Sequence, residues 1–402
     1  MTAEFKPCTL HGRISAPPSK SMAHRYLICS ALSGEKCTLA GVGHSEDILA
    51  SIDCLRSLGV KTETDGDTVR IDPSGFMSSD VDSPVLECRE SGSTLRFFIP
   101  LALCMKKKVT LCGSERLLSR PLDVYTELCR ERGFELTVGK DYAEVCGSLK
   151  GGEYTLRGDI SSQFISGMIF ALAYLGEDSA IEIIPPFTSR PYVDMTIFAL
   201  NSFGADVRFT GENRIEIKAS RMHGYSGTVE GDYSNAAFLD AFNLLGSEVT
   251  VENLREDSLQ GDRVYSEYFR EIENGTPTLD ITDCPDLGPI LFALAALKNG
   301  ATFVGTNRLR DKESDRVSAM HEELSKLGGG LLIGDDTVTV PKQELLYRGR
   351  ELCGHNDHRI VMALSVILSK IGGAVEGAEA VRKSYPSFFE EIKNLGAKVE
   401  LT

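Results

Sequence analysis

The sequence predicts an α/β fold made of six related units, and the main evidence is a phrase that recurs along the chain. Each copy reads as an amphipathic helix, a glycine, and two short strands separated by a turn. A glycine that follows the last helical turn is typical of a C-cap in the left-handed conformation, and a hairpin follows naturally. The glycines that end the six helices are Gly59, Gly133, Gly204, Gly275 (the weakest copy), Gly328 and Gly396.

Length and composition indicate how these units are grouped. A chain of 402 residues favours two domains, and therefore three units in each. Hydrophobic and charged contents of 42% and 25% are ordinary for a globular protein, and a net charge of −15 argues against a nucleic-acid or anionic-membrane partner.

Three features that the sequence lacks predict the cellular location of the protein and the redox state of its cysteines. The first residues lack a basic segment followed by an apolar core, and no apolar run approaches the roughly 20 residues of a membrane span. The eleven cysteines include no C-x-x-C pair, so neither a zinc pattern nor a disulfide framework is indicated. We therefore expect a cytoplasmic protein with reduced thiols.

The first recognisable helix begins in the segment APPSKSMAHR, residues 16–25. Proline suits a helix start because it lacks an N–H, and the N–H at that position has no partner within the helix. Serine suits the N-cap because its hydroxyl accepts from a backbone N–H of the first turn. Lys20 and Arg25 do not suit it, because they face the positive end of the helix dipole. Either they are solvated surface charges, or they converge with the serines on a bound phosphate or carboxylate.

Similar polar clusters precede other predicted helices. In the first half they are ESGSTLR (90–96), two copies of Ser-Arg-Pro (119–121 and 189–191) and SSQ (161–163). In the second half they are CPD (284–286), KESDR (312–316), HNDHR (355–359) and RKSYP (382–386). Capping alone explains the serines, and Asp286 also suits an N-cap, but capping does not explain the repeated cations. His355 and His358 lack the further ligands of a metal site, so no metal is predicted.

Together these clusters predict a site for more than one anion. Helix N-termini in a parallel bundle share one end, so facing domains would bring the cations into one interdomain cleft. The cations are Lys20, Arg25, Arg96, Arg120, Lys312, Arg316, Arg359 and Lys383. Asp286 and Glu313 would lie among them as proton carriers. No P-loop or G-x-G-x-x-G is present, which disfavours nucleoside triphosphates and dinucleotides.

Nine motifs in order, from Lys20 to Pro386, resemble those of the 5-enolpyruvylshikimate-3-phosphate (EPSP) synthase family. They are SKSMAHR, SGSTLR, SSQF, SRPYVD, EGDYSNAAF, CPD, KESDR, NDHR and RKSYP. The resemblance implies a two-domain inside-out α/β barrel of the enolpyruvyl transferase type, with six βαβαββ repeats, three per domain. It also implies a discontinuous domain, 1–18 plus 230–402, and a second domain, 19–229, with the active site in the interdomain cleft.

The resemblance also implies a reaction. Phosphoenolpyruvate would donate its carboxyvinyl group to the 5-hydroxyl of shikimate 3-phosphate, and phosphate would leave by addition and elimination. The product belongs to the shikimate pathway, which leads to chorismate and the aromatic amino acids. Lys and Arg can stabilise the developing charge, so no metal or other cofactor is expected. The partners are the two small substrates, and a monomer is the family default.

Residue roles are carried over motif by motif. The implied catalytic residues are Lys20, Asp286 and Glu313. Shikimate 3-phosphate would bind Lys20, Ser21, Arg25, Ser161, Ser162, Gln163, Ser189, Tyr192, Asp286 and Lys312. Phosphoenolpyruvate would bind Lys20, Gly92, Arg120, Gln163, Arg316, Arg359 and Lys383, with His358 close by.

Some positions depart from the family pattern. Glu90 stands where Asn is common, Ser93 where Thr is common, and Phe97 where Pro is common. Arg308 stands near the position where the family often has an Asn that contacts the shikimate phosphate, so that contact is not carried over.

Two other functions are compatible with the motifs. One is a UDP-N-acetylglucosamine enolpyruvyl transferase, although that family typically has Lys-Asn near the start, whereas this chain has Lys20-Ser21. The other is a non-catalytic anion-binding protein of the same fold, which the intact set Lys20, Asp286, Glu313 and Lys383 disfavours.

Overall fold

The structure, a computed structural model, describes residues 1–402 and divides the chain into two compact units. Unit 1 combines Met1–Pro17 with Gly231–Thr402, and unit 2 is the continuous segment Pro18–Glu230. Each unit buries an apolar core of its own. The chain therefore begins in unit 1, builds unit 2 completely, and then returns to finish unit 1.

Thirteen α-helices form, and the longest have 14 residues. None of them is both long enough and apolar enough to cross a lipid bilayer. They are α1 (Lys20–Leu32), α2 (Glu46–Ser57), α3 (Gly92–Leu103), α4 (Glu115–Leu118), α5 (Asp123–Arg132), α6 (Ser162–Leu175), α7 (Arg190–Ser202), α8 (Tyr233–Asp240), α9 (Tyr265–Asn274), α10 (Gly288–Leu297), α11 (Arg316–Lys326), α12 (His358–Ile371) and α13 (Phe388–Asn394).

The 22 strands are short, with two to six residues each. They are β1 (Thr2–Phe5), β2 (His11–Ser15), β3 (Cys37–Ala40), β4 (Lys61–Asp65), β5 (Thr68–Asp72), β6 (Val85–Glu87), β7 (Val109–Cys112), β8 (Glu135–Val138), β9 (Tyr142–Cys146), β10 (Glu153–Arg157), β11 (Ser179–Ile184), β12 (Asp206–Phe209), β13 (Arg214–Lys218), β14 (Ser226–Thr228), β15 (Glu248–Glu252), β16 (Thr278–Asp280), β17 (Gly300–Val304), β18 (Leu332–Ile333), β19 (Thr337–Pro341), β20 (Leu352–Cys353), β21 (Gly373–Glu376) and β22 (Val399–Leu401).

One sheet topology recurs along the chain. The five four-stranded sheets have the orders β14-β3-β5-β4, β6-β7-β9-β8, β10-β11-β13-β12, β16-β17-β19-β18 and β20-β21-β1-β22. In each of them the first two strands are parallel and the other pairings are antiparallel. A sixth sheet contains only the parallel pair β2 and β15. This arrangement confirms the predicted α/β class and its repeated units.

The helix-ending glycines have the predicted conformation in five of the six copies. Gly133, for example, has φ of 70° and donates its N–H to the carbonyl of Cys129. The prediction is wrong at Gly275, whose φ of −176° is extended. Its N–H bonds to the carbonyl of Glu271, and the chain continues in extended form toward β16 without a left-handed turn.

Helices occupy the interior of each unit, and the sheets lie toward solvent. Every residue of 164–173 in α6, of 288–296 in α10 and of 358–369 in α12 is buried. The strands instead alternate, as in β5 and β19, where buried residues lie between less buried ones. A helix that is apolar all round must be buried, and a strand with alternating polarity covers a core with one face. The inside-out arrangement predicted from the family resemblance is therefore present in each unit.

The contact between α3 and α6 illustrates how closely these interior helices approach. A Cβ atom on Gly167 of α6 would lie 2.5 Å from the carbonyl oxygen of Arg96, so only glycine fits. Pro100 inside α3 has no N–H to donate to that same carbonyl, four residues earlier. The hydroxyl of Tyr125 on α5 donates its proton there instead, at 2.8 Å, and shares it with the carbonyl of Phe164 at 2.9 Å. One buried tyrosine thus satisfies the acceptor that the proline leaves open and fixes the backbone beneath Arg96.

Candidate active site

In unit 1 the site is organised around Asp286, which lies in a short 3-10 turn immediately before α10. Its Oδ1 accepts from Lys312 Nζ at 3.2 Å and from Arg316 Nη1 at 2.8 Å, and its Oδ2 accepts from Arg359 Nη2 at 3.0 Å. Asp286 therefore does not act as a simple N-cap, the alternative that the sequence left open. Three cations from two motifs, KESDR and NDHR, converge on this one carboxylate.

Arg316, the first residue of α11, is almost completely buried and is bound to three carboxylates. Besides Asp286, its Nη2 donates to Glu313 at 2.8 Å and its Nε donates to Asp357 at 2.9 Å. A guanidinium fork with separate N–H directions can hold several acids in fixed relative positions, which an ammonium cannot do. Arg316 thus fixes both carboxylates that the sequence nominated as proton carriers.

The start of α12 supplies Arg359 and is bound by Lys383, the two remaining cations that the sequence predicts for the site in unit 1. Asp357 is its N-cap, and its carboxylate accepts from the Arg359 N–H at 2.9 Å. The Arg359 guanidinium donates to Ser234 Oγ at 2.6 Å as well as to Asp286. Lys383 is joined to the same segment, because its Nζ donates to the carbonyl of Asn356 at 2.5 Å.

The protonation states in this cluster follow from burial and from neighbouring charges. Burial opposes ionisation of Asp286, but the positive charges of Arg359, Lys312 and Arg316 outweigh it and hold the pKa of its carboxyl well below the usual range. For Lys312, burial outweighs the attraction of Asp286 and lowers its pKa from 10.5 to about 8. Near neutral pH Asp286 is therefore ionised, whereas Lys312 holds a proton that it can release with little change in pH.

In unit 2 the first helix presents Lys20 at its first position, after the N-cap Ser19. The Lys20 ammonium donates to Asp47 Oδ2 at 2.8 Å, and both side chains are largely buried. Asp47 lies in the first turn of α2, where a carboxylate is favourable to the helix dipole. This ion pair compensates for the unfavourable position of a lysine at the start of a helix.

Arg25 lies one turn further along α1 and is buried. Its Nη1 donates to the carbonyl of Ser21 at 2.6 Å, its Nη2 donates to the carbonyl of Tyr192 at 2.7 Å, and its Nε donates to Thr196 Oγ1 at 2.9 Å. Burial lowers its pKa from 12.5 to about 10, so the guanidinium remains charged at neutral pH. Arg25 therefore joins the beginnings of α1 and α7.

Gln163 plays the corresponding role for α3 and α6. Its Nε2 donates to Ser93 Oγ at 3.0 Å, and its Oε1 accepts from Arg96 Nη1 at 2.8 Å. Because α6 begins beside Gln163 and α3 begins beside Ser93, these two helices also share one end. The parallel arrangement of helix starts predicted from the sequence is present within unit 2.

Three buried serines lie at the starts of α6 and α7. Ser161 is the N-cap of α6, Ser162 is its first residue, and Ser189 precedes α7 with a left-handed φ of 55°. At the start of α3, a Cβ on Gly92 would lie 2.6 Å from Arg120 Nη1. The absence of a side chain at Gly92 is what leaves room for the Arg120 guanidinium at the start of α3.

In unit 2 the predicted residues lie at or near helix starts: Lys20, Ser21, Arg25, Gly92, Arg120, Ser161, Ser162, Gln163, Ser189 and Tyr192. In unit 1 Asp286 binds Lys312, Arg316 and Arg359, Arg316 also binds Glu313, and Lys383 binds the segment before α12, which begins at the buried His358. The sequence reasoning missed Asp47 and Asp357, because Asp357 is an ordinary N-cap and Asp47 lies in a first helical turn, where an acid is favourable to the helix dipole. Their functional signal is the buried cation that each one binds.

The fold and these clusters define an α/β protein of six repeated units with arginines, lysines and carboxylates gathered at helix starts. The family model for EPSP synthase (3-phosphoshikimate 1-carboxyvinyltransferase) matches residues 6–392. A curated relative from Clostridium kluyveri, named 3-phosphoshikimate 1-carboxyvinyltransferase, is 38% identical over 98% of this chain and 97% of its own. A relative of the same name from Clostridium acetobutylicum is 37% identical, with the same coverage of 98% and 97%.

A solved structure supports the fold. EPSP synthase from Acinetobacter baumannii superposes with a TM-score of 0.80 at 23% identity, covering 100% of this chain and 99% of that one. The chain belongs to the EPSP synthase family.

Proposed function

We propose that this chain transfers the carboxyvinyl group of phosphoenolpyruvate to the 5-hydroxyl of shikimate 3-phosphate. The products are 5-enolpyruvylshikimate 3-phosphate and phosphate, on the route to chorismate and the aromatic amino acids. The observation that carries the proposal is the ionised Asp286 among Lys312, Arg316 and Arg359, with Glu313 fixed on the same arginine. The activity named for the relatives supports the assignment of substrates.

Shikimate 3-phosphate carries a phosphate, a carboxylate and hydroxyls, and we assign it to residues of both units. These are Lys20, Ser21, Arg25, Ser161, Ser162, Gln163, Ser189, Tyr192, Asp286 and Lys312. The support is chemical. Buried hydroxyls at the starts of α6 and α7 suit a phosphate, and ionised Asp286 suits hydroxyl donors.

Phosphoenolpyruvate is assigned to Lys20, Gly92, Arg120, Gln163, Arg316, Arg359 and Lys383. Gly92 supports this assignment, because it leaves room for a guanidinium at the start of α3. Arg316 already donates to three carboxylates, so an anion that binds there must share or replace one of those contacts. We expect Arg359 and Lys383 to carry most of the charge neutralisation.

The reaction has two steps. In the first, the 5-hydroxyl oxygen bonds to C2 of phosphoenolpyruvate, the hydroxyl proton is lost and C3 gains a proton, which gives a tetrahedral ketal. In the second, the bond from C2 to the phosphate oxygen breaks, C3 loses a proton, and phosphate leaves. We assign the hydroxyl proton to Asp286, the C3 proton to Glu313, and protonation of the leaving phosphate to Lys20. The cations stabilise the developing charge, so we propose that no cofactor is required.

The remaining assignments complete the proposal. We propose that units 1 and 2 act as the two domains of one catalytic unit, because Lys20 belongs to unit 2 and Asp286 belongs to unit 1. We further propose a monomer that acts in the cytoplasm on these two small molecules.

The test is phosphate release from phosphoenolpyruvate in the presence of EDTA, with shikimate 3-phosphate or UDP-N-acetylglucosamine as the acceptor. Release with shikimate 3-phosphate alone is the expected result. The matched variants are Lys20→Met and Lys61→Met, since Lys61 is an exposed lysine of the same unit. Only the first should lose activity. Release with the nucleotide sugar alone, or with neither acceptor from a folded sample, would overturn the proposal.

A further inference from the structure

The segment before α12 contains two consecutive residues in a strained conformation. His355 and Asn356 have φ values of 50° and 51°, in the left-handed region that residues other than glycine seldom adopt. Asparagine tolerates this region comparatively well, but histidine needs support from its surroundings. We call residues 353–357, which run from the end of β20 to the N-cap of α12, the αL turn.

The support comes from Glu323, a fully buried residue of α11. Its Oε2 accepts from the Cys353 N–H at 2.9 Å, and its Oε1 accepts from His355 Nε2 at 2.7 Å. Lys326 also donates to Oε1, at 2.9 Å, and balances the charge. Glu323 thus binds the backbone N–H of Cys353, the first residue of the αL turn, and the side chain of the strained His355.

The same helix also binds the other end of the αL turn. Arg316 lies seven residues before Glu323, which is two helical turns, so both project from one face of α11. Arg316 Nε donates to Asp357, the last residue of the turn, at 2.9 Å. A single rigid helix therefore holds the turn at both ends, by Glu323 where the chain enters and by Arg316 where it leaves.

The αL turn in turn positions the cations assigned to phosphoenolpyruvate. The carbonyl of Asn356 accepts from Lys383 Nζ, and Asp357 accepts from the Arg359 N–H. We propose that Glu323 and His355 are positioning residues, which hold the αL turn so that Lys383 and Arg359 are presented to phosphoenolpyruvate. The proposal rests on the function proposed above for these two cations, and neither Glu323 nor His355 touches substrate in it.

A metal ion is the competing explanation for this cluster. Ligand atoms of Glu322, Glu323 and His355 lie within 4.8 Å of one another. However, Lys326 Nζ lies 3.2 Å from Glu322 and 2.9 Å from Glu323, so an ammonium already neutralises these carboxylates. A cation at this place would have to displace Lys326. The metal is therefore an outcome that the test has to distinguish.

The test compares His355→Ala, Glu323→Gln and the double variant in the phosphate-release assay, run both with and without EDTA, with separate KM values for the two substrates. His11→Ala is the matched control, because it removes an exposed histidine of unit 1 that lies 3.6 Å from an exposed Glu248. We expect His355→Ala to raise the KM for phosphoenolpyruvate about tenfold, the effect of losing one hydrogen bond to a charged group. The KM for shikimate 3-phosphate should stay within about twofold, and the control should match the wild type.

Glu323→Gln should have a smaller effect, because the amide oxygen still accepts from Cys353. The double variant should raise the KM for phosphoenolpyruvate by less than the product of the two single effects, because the contact between Glu323 and His355 is already lost in each single variant. If His355→Ala does not fold, His355→Asn replaces it, since asparagine tolerates the left-handed region but does not reach Glu323. The same selective rise in the KM for phosphoenolpyruvate is expected.

Three results would overturn the proposal. The first is an unchanged KM for phosphoenolpyruvate in a folded His355 variant, and the second is an equal rise of both KM values, which indicates general loosening. The third is an EDTA effect on the wild type that reproduces the His355→Ala effect, which would assign the cluster to a metal. If the wild type lacks turnover, the proposed function fails instead. Hydrogen exchange at the Asp357 and Arg359 amides then tests the turn directly, with protection expected to fall in His355→Ala but not in His11→Ala.

Discussion

Replacing Lys312 by methionine should stabilise the protein while it abolishes turnover. Burial lowers the pKa of Lys312 from 10.5 to about 8, and the positive charges of Arg308 and Arg316 add to the lowering. The negative charge of Asp286 opposes it but does not outweigh it. Each tenfold change in proton affinity corresponds to about 1.4 kcal/mol, so holding this proton at pH 7 costs the folded state about 3 kcal/mol. Methionine occupies a similar volume without the charge.

The loss of Lys312 does not leave Asp286 unpaired. Arg316 remains at 2.8 Å and Arg359 at 3.0 Å from its two oxygens. The free energy of unfolding should therefore increase by up to about 3 kcal/mol at pH 7. Turnover should be lost because Lys312 is assigned to the binding of shikimate 3-phosphate beside Asp286.

The sign of the pH dependence provides an internal check. Below pH 8 both the folded and the unfolded states hold the proton, so the folded state carries the full cost. As the pH rises from about 8 toward 10.5, the folded state releases the proton first, and the wild type gains stability relative to the variant. The advantage of the methionine variant should fall from about 3 kcal/mol at pH 7 to about 2 kcal/mol at pH 9.

The assay is urea denaturation followed by far-ultraviolet circular dichroism at both pH values. Lys342→Met, at an exposed position of the same unit, is the control and should change stability by less than about 0.5 kcal/mol. A Lys312→Met variant that is less stable than the wild type at pH 7 would refute the reasoning. So would an advantage that does not change between pH 7 and pH 9.

Three further predictions concern other positions. Lys20→Met or Glu313→Gln should nearly abolish phosphate release without changing the circular dichroism spectrum, and near-normal turnover would contradict the roles assigned to them. Asp47→Asn should reduce kcat about tenfold, because it removes the charged partner that orients Lys20, and an unchanged kcat would show that the ion pair is dispensable. Tyr125→Phe should lower the free energy of unfolding by about 1–3 kcal/mol in urea denaturation, because the carbonyl of Arg96 loses its donor, and an unaltered midpoint would argue against that bond.

Much of the fold was predictable because helix ends leave local signals. The left-handed glycines and the hairpin turns recur in the sequence, and five sheets repeat one strand order. The exception at Gly275 was not predictable, because glycine adopts extended and left-handed conformations equally well. The sequence also does not indicate that the sixth sheet is reduced to β2 and β15, since strand pairing depends on residues far apart in the chain.

The site was predictable at the level of residue types but not of contacts. The motifs identify Arg316 as a cation for an anionic ligand, whereas the structure shows it donating to three carboxylates of the protein. Glu323 and Asp47 could not be found, because an acid on an amphipathic helix is usually a solvated residue. Their importance depends on burial beside a particular partner, which only the tertiary structure determines.

The position of β1 has a consequence for how the chain is synthesised and folded. This strand lies between β21 and β22, so Ala3 pairs with both Val375 and Leu401. Strand β1 therefore has no partner until the chain has been synthesised through β21. Unit 2, by contrast, is continuous, and its ends are joined by the bond from the Ser19 N–H to the Glu230 carbonyl at 2.8 Å.

During translation, unit 2 can complete its core while β1 of unit 1 still lacks the strands with which it pairs. Domains generally fold as units in the order of their synthesis, and an unpaired strand is prone to aggregation. Ribosome-bound nascent chains that end shortly after Glu230 should thus contain a protease-resistant core that excludes the first 17 residues. A truncation before β22 should remove one of the two strands that pair with β1, so we expect it to lower the stability of unit 1.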